Sequence, residues 1–365
     1  MENSDILKNS PIYAMSLGSH ELFHSNLWAW LMQNYKKSIK DVFGFEIEED
    51  AVKSVEREAK NIDITITTND EQKYIIENKF KSIPYKAQLE IYKEKLGKKF
   101  AKGKLACIVE PKFVRECRGW DVLTYSTIIE KLKEFIDKND TWHGNNDKCI
   151  LAEYVKVTEL AIEMITKNLD GETLKISAED FSEYEKYRIS DILKKLIASK
   201  FEAYLIENLK SKFTNLYICS DYAHKKGIIN AFFLKTTDDA INKTHSEIIK
   251  KALYEFAIGV QIEGNEFRVI VCSAGKNRKK HEELFKHYSD KRWFDATYKK
   301  GNAITLLDHE YTTTMSPKEG GKFNKYTEAK YNFVHQFFTL PNNNFSEVCS
   351  LMEKFLSKAE ELLKI

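Results

Sequence analysis

Asn61-Ile62-Asp63-Ile64-Thr65-Ile66-Thr67-Thr68, followed by Asn69-Asp70-Glu71 and then by Gln72-Lys73-Tyr74-Ile75-Ile76-Glu77-Asn78-Lys79, reads as two strands joined by a short turn. Ile62, Ile64 and Ile66 alternate with Asp63, Thr65 and Thr67, the period-2 pattern of a strand with one buried face. In the second strand Tyr74 and Ile76 match that apolar face, which leaves Lys73, Ile75, Glu77 and Lys79 beside Asp63. A three-residue loop sets Thr68 opposite Gln72 and, counting back along both strands, Asp63 across from Glu77. A two-residue turn would send Glu77 to the other face and set the isoleucines beside Glu77 and Lys73, so the apolar pattern favours the longer loop.

Directly opposed side chains stand about 5 Å apart, and two carboxylates there repel unless something compensates. A divalent cation does so. Asp63, Glu77 and the backbone carbonyl of Asn78 are hard oxygen donors of the kind that hold Mg²⁺ or Mn²⁺. Such an ion lowers the pKa of its bound water and neutralises charge on a phosphoryl group. Lys79, on the same face, can orient the attacking water and stabilise the developing charge. The pattern points to phosphodiester hydrolysis. An ordinary surface hairpin in a chain rich in lysine and glutamate would also show Asp and then Glu-x-Lys, so the flanking segments matter.

Upstream, Ser19-His20-Glu21-Leu22-Phe23-His24-Ser25 leads through Leu27, Trp28, Trp30 and Leu31 with apolar residues at helical spacing and Ser19 as N-cap. Phe23, Leu27, Trp30 and Leu31 form the expected buried face, with Glu21, His24, Ser25 and Trp28 on another. Glu21 also suits a first helical turn for dipole reasons, and a helical histidine such as His24 more often serves as a structural hydrogen-bonding group than as a ligand. Downstream, Tyr85 to Leu96 reads as a helix closed by Gly97, with Gln88 and Tyr92 one turn apart on one face; taken alone, that pair could equally sit at an amphipathic boundary. Lys104 to Val109 is an apolar run of strand length. With Val55 to Ala59 as the first strand, the order is helix, three strands, helix, strand.

With these residues in this order, the chain resembles the PD-(D/E)XK nuclease superfamily, and within it the RecB-like branch with a Q-x-x-x-Y helix. The matching residues are Asp63, then Glu77-Asn78-Lys79, then Gln88 and Tyr92; Glu21 to Ser25 with Trp30-Leu31 is similar to the first helix of bacterial members. Ile62 stands where the family motif has proline. The resemblance implies an α/β, restriction-endonuclease-like core of order αβββαβ, its central mixed sheet flanked by helices. It implies a Mg²⁺- or Mn²⁺-dependent nuclease with Asp63 and Glu77 as metal ligands, Glu21 as a further acidic ligand and Lys79 as catalytic lysine. His24, Gln88 and Tyr92 would support the site or touch phosphate. Nucleic acid is the implied partner, DNA ahead of RNA, in bacterial defence or DNA processing, with a homodimer or a subunit of a larger defence complex among the assemblies the family uses. The competing class is a non-catalytic binding module on the same fold, which would need no divalent ion.

At 365 residues the chain suggests two domains. The expected division is a nuclease core over 1–146, long connecting helices over 147–212 and an α+β domain over 213–365. Those helices are expected over 147–167 and 177–212, the latter interrupted near Ser190. Strands are expected at 216–219, 228–234, 257–262, 267–272 and 304–307, with a turn at Glu263 to Glu266 and a closing helix from Phe345 to Leu363. Lys279 to Trp293 fits either a nucleic-acid-binding run or a helix with a solvated charged side.

No run of about 18 apolar residues occurs, and Met1 to Asp5 lack a signal-peptide layout, so a cytoplasmic protein is expected. The six cysteines show no C-x-x-C pair and read as reduced thiols. A net charge of +2 does not by itself imply nucleic acid, whereas the lysines from Lys93 to Lys104, Lys276 to Lys280 and Lys299-Lys300 are candidate phosphate contacts or solvated faces. Ser316 to Gly321 is glycine-containing loop chemistry without the residues of a phosphate-binding P-loop.

Overall fold

A computed structural model describes residues 10–16, 20–80, 82–84, 86–111, 114, 116–175, 178–221, 227–234, 256–274, 278–295, 303–312 and 331–363. Met1 to Asp5, Ser19, Tyr85, Lys276, Lys299, Lys300 and the 316–321 loop lie outside these residues. Two compact units divide the chain: Met1–Asp170 with Ala178–Leu193, and Gly171–Ser177 with Lys194–Ile365. The expected boundaries after 146 and 212 fall elsewhere than these divisions.

The first unit begins with α1 (Pro11–Ser16), α2 (His20–Asn34) and the short α3 (Ser38–Asp41). Strands β1 (Val52–Arg57), β2 (Ile64–Thr68) and β3 (Lys73–Lys79) follow, then α4 (Lys86–Leu96), β4 (Phe100–Cys107), β5 (Trp120–Thr124) and α5 (Tyr125–Lys138). The five strands form one mixed sheet in the order β1-β2-β3-β4-β5, antiparallel from β1 to β3 and parallel from β3 to β5. Parallel pairing of β3 with β4 needs a crossover, which α4 supplies. Helix α4 ends where Gly97 takes a left-handed φ of +55°, as the C-terminal glycine led one to expect.

Three local expectations are corrected. The first strand starts and ends earlier than Val55 to Ala59, because Glu58 turns left-handed at φ +51° and stops the extended run. β2 is buried on both faces, its threonines included, and Ile62 lies ahead of the strand, extended, just after a short helical turn over Ala59–Asn61. Ile62 packs with Ile75, Leu89 and Leu105 rather than with Ile64, since Asn61 at φ +63° reorients the chain before pairing begins. On α2 the deepest residues are His24, Ser25, Trp28, Ala29, Leu31 and Met32, while Phe23, Leu27 and Trp30 are half-buried. Of the polar ones, His24 Nδ1 bonds the Tyr154 hydroxyl, and Ser25 Oγ donates to the Glu21 carbonyl and accepts from Asn78 Nδ2.

Helix α5 is capped by the Thr124 hydroxyl, which accepts the Thr127 N–H at 3.2 Å, and it buries Tyr125, Ile128, Ile129, Leu132, Phe135 and Ile136. The next helix, α6 (Asp147–Thr166), is part of this unit rather than a linker. Its Tyr154 hydroxyl accepts the Trp28 indole N–H at 2.9 Å and bonds His24 Nδ1 at 2.8 Å. The short α7 (Ala178–Lys186) follows, and the chain breaks at Arg188, φ +52°, before α8 (Ser190–Leu209), which the units share at Leu193/Lys194.

The second unit holds β6 (Leu216–Asp221), β7 (Ile228–Leu234), β8 (Phe256–Glu263), β9 (Glu266–Ala274), α9 (Arg278–Asp290), β10 (Ile304–Leu306), β11 (His309–Tyr311), β12 (Tyr331–Thr339) and α10 (Phe345–Leu363). Its antiparallel sheet runs β12-β9-β8-β7-β6. Glu263 pairs with Glu266 across a turn whose Gly264 sits at φ +62°, a conformation that favours glycine. The expected periodicity of α10 holds: Phe345, Val348, Met352, Phe355, Ala359 and Leu362 are all buried. Lys279 to Asp290 is helical, and β12 had no counterpart in the sequence reading.

Candidate metal and active centre

The register of the β2–β3 hairpin decides what the site contains. Thr68 N–H donates to the Gln72 carbonyl at 3.0 Å, Glu71 turns at φ +65°, and Thr67 pairs with Lys73, Ile66 with Tyr74, Thr65 with Ile75 and Ile64 with Ile76. Extended by one residue beyond its last pair, the same register sets Asp63 across from Glu77, and the two carboxylates are electrostatically coupled. The carbonyl of Asp63 accepts the Glu58 N–H at 3.1 Å, and its carboxylate Oδ2 accepts the Asn78 N–H at 2.7 Å.

Glu77 is 2% exposed. Its Oε1 meets Lys79 Nζ at 2.8 Å and accepts from Gln88 Nε2 at 2.6 Å, while the same Gln88 amide donates to the Tyr92 hydroxyl at 2.7 Å. The α4 pair therefore reaches the β3 acid directly. Glu77 Oε2, Gln88 Oε1 and Thr65 Oγ1 are buried without a hydrogen-bond partner among the described residues. Burial pushes Glu77 up to about 7; Lys79 opposes this and Asp63 adds to it. Asp63 is raised too, by burial first and by the Glu21 and Glu58 carboxylates, against the Asn78 N–H and Lys79. Burial pulls the Lys79 ammonium down, but Glu77, Glu21 and Asp63 outweigh it and hold it above its ordinary value. Tyr92 rises to about 12 through burial and the nearby Glu77.

Glu21, in the first turn of α2, accepts from Ser82 N at 2.8 Å and Ser82 Oγ at 2.6 Å, just past the end of β3. It is electrostatically coupled to Asp63 and Lys79. His24 is placed otherwise. It is 3% exposed and turned among Phe80, Tyr125, Trp28 and Tyr154, with ring centroids 4.5 to 5.9 Å away. An imidazole so enclosed serves packing and the Tyr154 hydrogen bond, and it is out of reach of a phosphate in solvent.

The donor set suits a hard divalent cation: two opposed carboxylates, one with a bare oxygen, and the carbonyl between Glu77 and Lys79. Among the described residues no three Asp, Glu, His or Cys side chains converge to metal-holding distance. A cation here would draw on the Asn78 carbonyl and water as well as the acids.

Within the Lys93 to Lys104 run, Lys95 Nζ lies 5.6 Å from the centre of the Tyr92 ring, whereas Lys93, Lys99, Lys102 and Lys104 have partners elsewhere. Lys102 pairs with Tyr74, three residues before Glu77, or about 10 Å along the strand. Lys99 meets Glu71 at 3.5 Å, Lys102 and Lys104 each meet Asp121 at 2.8 Å, and Lys93 donates to the Arg118 carbonyl at 3.2 Å. The charges of Lys99, Lys102 and Lys104 are thereby paired with neighbouring carboxylates. Sequence reasoning missed Glu58, Ser82 and Tyr125. Glu58 and Ser82 carry no periodic signal, whereas Thr124 before Tyr125 was a readable helix cap.

Residues 12–156 match the family model of the PD-(D/E)XK nuclease superfamily, and the mixed α/β core with its five-stranded sheet is consistent with it. No curated protein and no solved structure matches the chain.

Proposed function

Because residues 12–156 match the family model of the PD-(D/E)XK nuclease superfamily, we propose that the chain is a Mg²⁺- or Mn²⁺-dependent nuclease that hydrolyses phosphodiester bonds, DNA before RNA. The observation that carries the reading is the convergence on Glu77: Lys79 at 2.8 Å and Gln88 at 2.6 Å on one oxygen, the other oxygen bare, Asp63 opposite. Asp63, Glu77 and the Asn78 carbonyl would hold the cation, with Glu21 as a further acid. The bound ion supplies charge neutralisation at the phosphate and a water of lowered pKa. Lys79, kept protonated by the surrounding carboxylates, orients the attacking water and meets the negative charge gathering on the phosphate oxygens. Gln88, itself braced by Tyr92, fixes the Glu77 carboxylate so that Oε2 faces the cation position. A role in bacterial defence or DNA processing and a cytoplasmic setting accompany this reading. Among the described residues no helix is long and apolar enough to cross a membrane.

The test is cleavage of labelled single-stranded DNA, duplex DNA and RNA with Mg²⁺, Mn²⁺ or EDTA, for the native protein and for folded Glu77→Gln and Lys79→Ala variants. Metal-dependent cutting lost in both variants is the expected result. Equal cutting by all three proteins, or binding that ignores both metal and Asp63→Ala, would overturn the reading.

A further inference from the structure

Asn78 lies between Glu77 and Lys79 in β3, so strand alternation turns its side chain to the opposite face of the sheet, toward α2 and α5. It is 1% exposed. A buried amide is costly there unless its donors and acceptor are met. Nδ2 donates to the Glu21 carbonyl at 2.8 Å and to Ser25 Oγ at 3.0 Å, and Oδ1 accepts from the Tyr125 hydroxyl at 2.5 Å. The Glu21 carbonyl can only accept, which fixes the orientation of the amide and makes Tyr125 the donor. The Ser25 hydroxyl closes the set by donating to the same Glu21 carbonyl at 3.0 Å. Through its own N–H, Asn78 also reaches Asp63 at 2.7 Å. One residue thus joins the helix bearing Glu21, the strand bearing Glu77 and Lys79, and the acid across the hairpin. Tyr125 is itself held at the start of α5, edge-on to Phe80 and His24, each at 4.9 Å.

We infer that Tyr125, acting through the Asn78 side chain, is a positioning residue for the cation site: it fixes the Asn78 peptide, and with it the carbonyl ligand, Asp63 and the first turn of α2. The inference rests on the nuclease reading and deepens it. Tyr125 touches neither the ion nor the nucleic acid. Removing its hydroxyl leaves Asn78 Oδ1 buried without its donor, and the amide no longer holds the Glu21 peptide and the strand in one arrangement. The loss falls on cation affinity and turnover, with substrate binding untouched.

The experiment measures Mn²⁺ dissociation constants, from the spin-resonance signal of free Mn²⁺, together with kcat and KM for DNA. It uses the full chain and its Tyr125→Phe, Asn78→Ala, doubly substituted and Ser25→Ala forms. Tyr125→Phe is expected to weaken Mn²⁺ about 10- to 100-fold, to lower kcat in a way that excess Mn²⁺ restores, and to leave KM unmoved. In the Asn78→Ala background it should change nothing further. Native Mn²⁺ affinity in Tyr125→Phe, or a full additional loss in the double variant, overturns the inference while native cutting leaves the nuclease reading standing. Should Tyr125→Phe fail to fold, Ser25→Ala probes the same amide, and unchanged Mn²⁺ affinity there overturns it equally. A native protein that neither binds Mn²⁺ nor cuts overturns both.

Discussion

A carboxylate with one oxygen tied and the other bare is costly to bury, and Glu77 is kept in that state by the two groups that grip Oε1. Gln88 can do so only while its other N–H has the Tyr92 hydroxyl to donate to. Tyr92→Phe should therefore lower cleavage about 10-fold or more while costing about 1 kcal/mol of stability, as read by single-turnover assays and urea unfolding. Glu77→Gln should lower cleavage by about 10²-fold or more in the same assay. Asp63, Glu77 and Lys79 were legible because strand period and turn length are local properties. The Asn78 side chain was not: its Tyr125 partner is 47 residues away, and no spacing rule links a strand amide to a tyrosine on a later helix.

At the scale of elements, legibility followed regularity. The β2–β3 register was readable from the turn length and from Ile64, Ile66, Tyr74 and Ile76, and α10 from apolar residues at a constant helical period. β12 was not, since Tyr331-Asn332-Phe333-Val334-His335-Gln336-Phe337-Phe338-Thr339 breaks alternation with a buried histidine and glutamine. Gln336 tolerates burial by exchanging two hydrogen bonds with the Asp295 backbone, at 2.7 and 2.8 Å. β8 carries a sharper constraint. A Cβ on Gly259 would lie 2.2 Å from the Ala231 carbonyl oxygen and 2.5 Å from Phe232 Cα, both backbone atoms of the paired strand. Gly259→Ala should thus force β7 and β8 apart and destabilise the second unit by about 2 to 3 kcal/mol, measurable by chemical denaturation.

For the molecule as a whole, pH dependence is expected from the second unit. Burial, with the Arg268 guanidinium adding, holds the His335 imidazole down to about 3 from its ordinary 6.5. The unfolded chain takes up a proton below 6.5 that the folded chain refuses until about 3, so this contribution to stability is whole above 6.5 and drains as pH falls toward 3. Between neutral pH and about pH 5 the loss should come to about 2 kcal/mol. His335→Gln should flatten that slope in denaturation curves taken at the two pH values; an unchanged slope would refute the assignment.

The order in which the chain visits its two units bears on how such a protein can be shuffled between genes. Gly171–Ser177 serves the second unit, where Thr173 bridges to Asn344, before Ala178–Leu193 returns to the first, where the Tyr187 carbonyl receives the Tyr13 hydroxyl at 2.7 Å. No single recombination breakpoint separates the two units cleanly. A crossover before 171 strips the first unit of its returning segment, and one after 193 strips the second unit of Gly171–Ser177. Clean exchange of the second unit between lineages would need three matched breakpoints, which makes the pairing of these units hard to dissolve by chance.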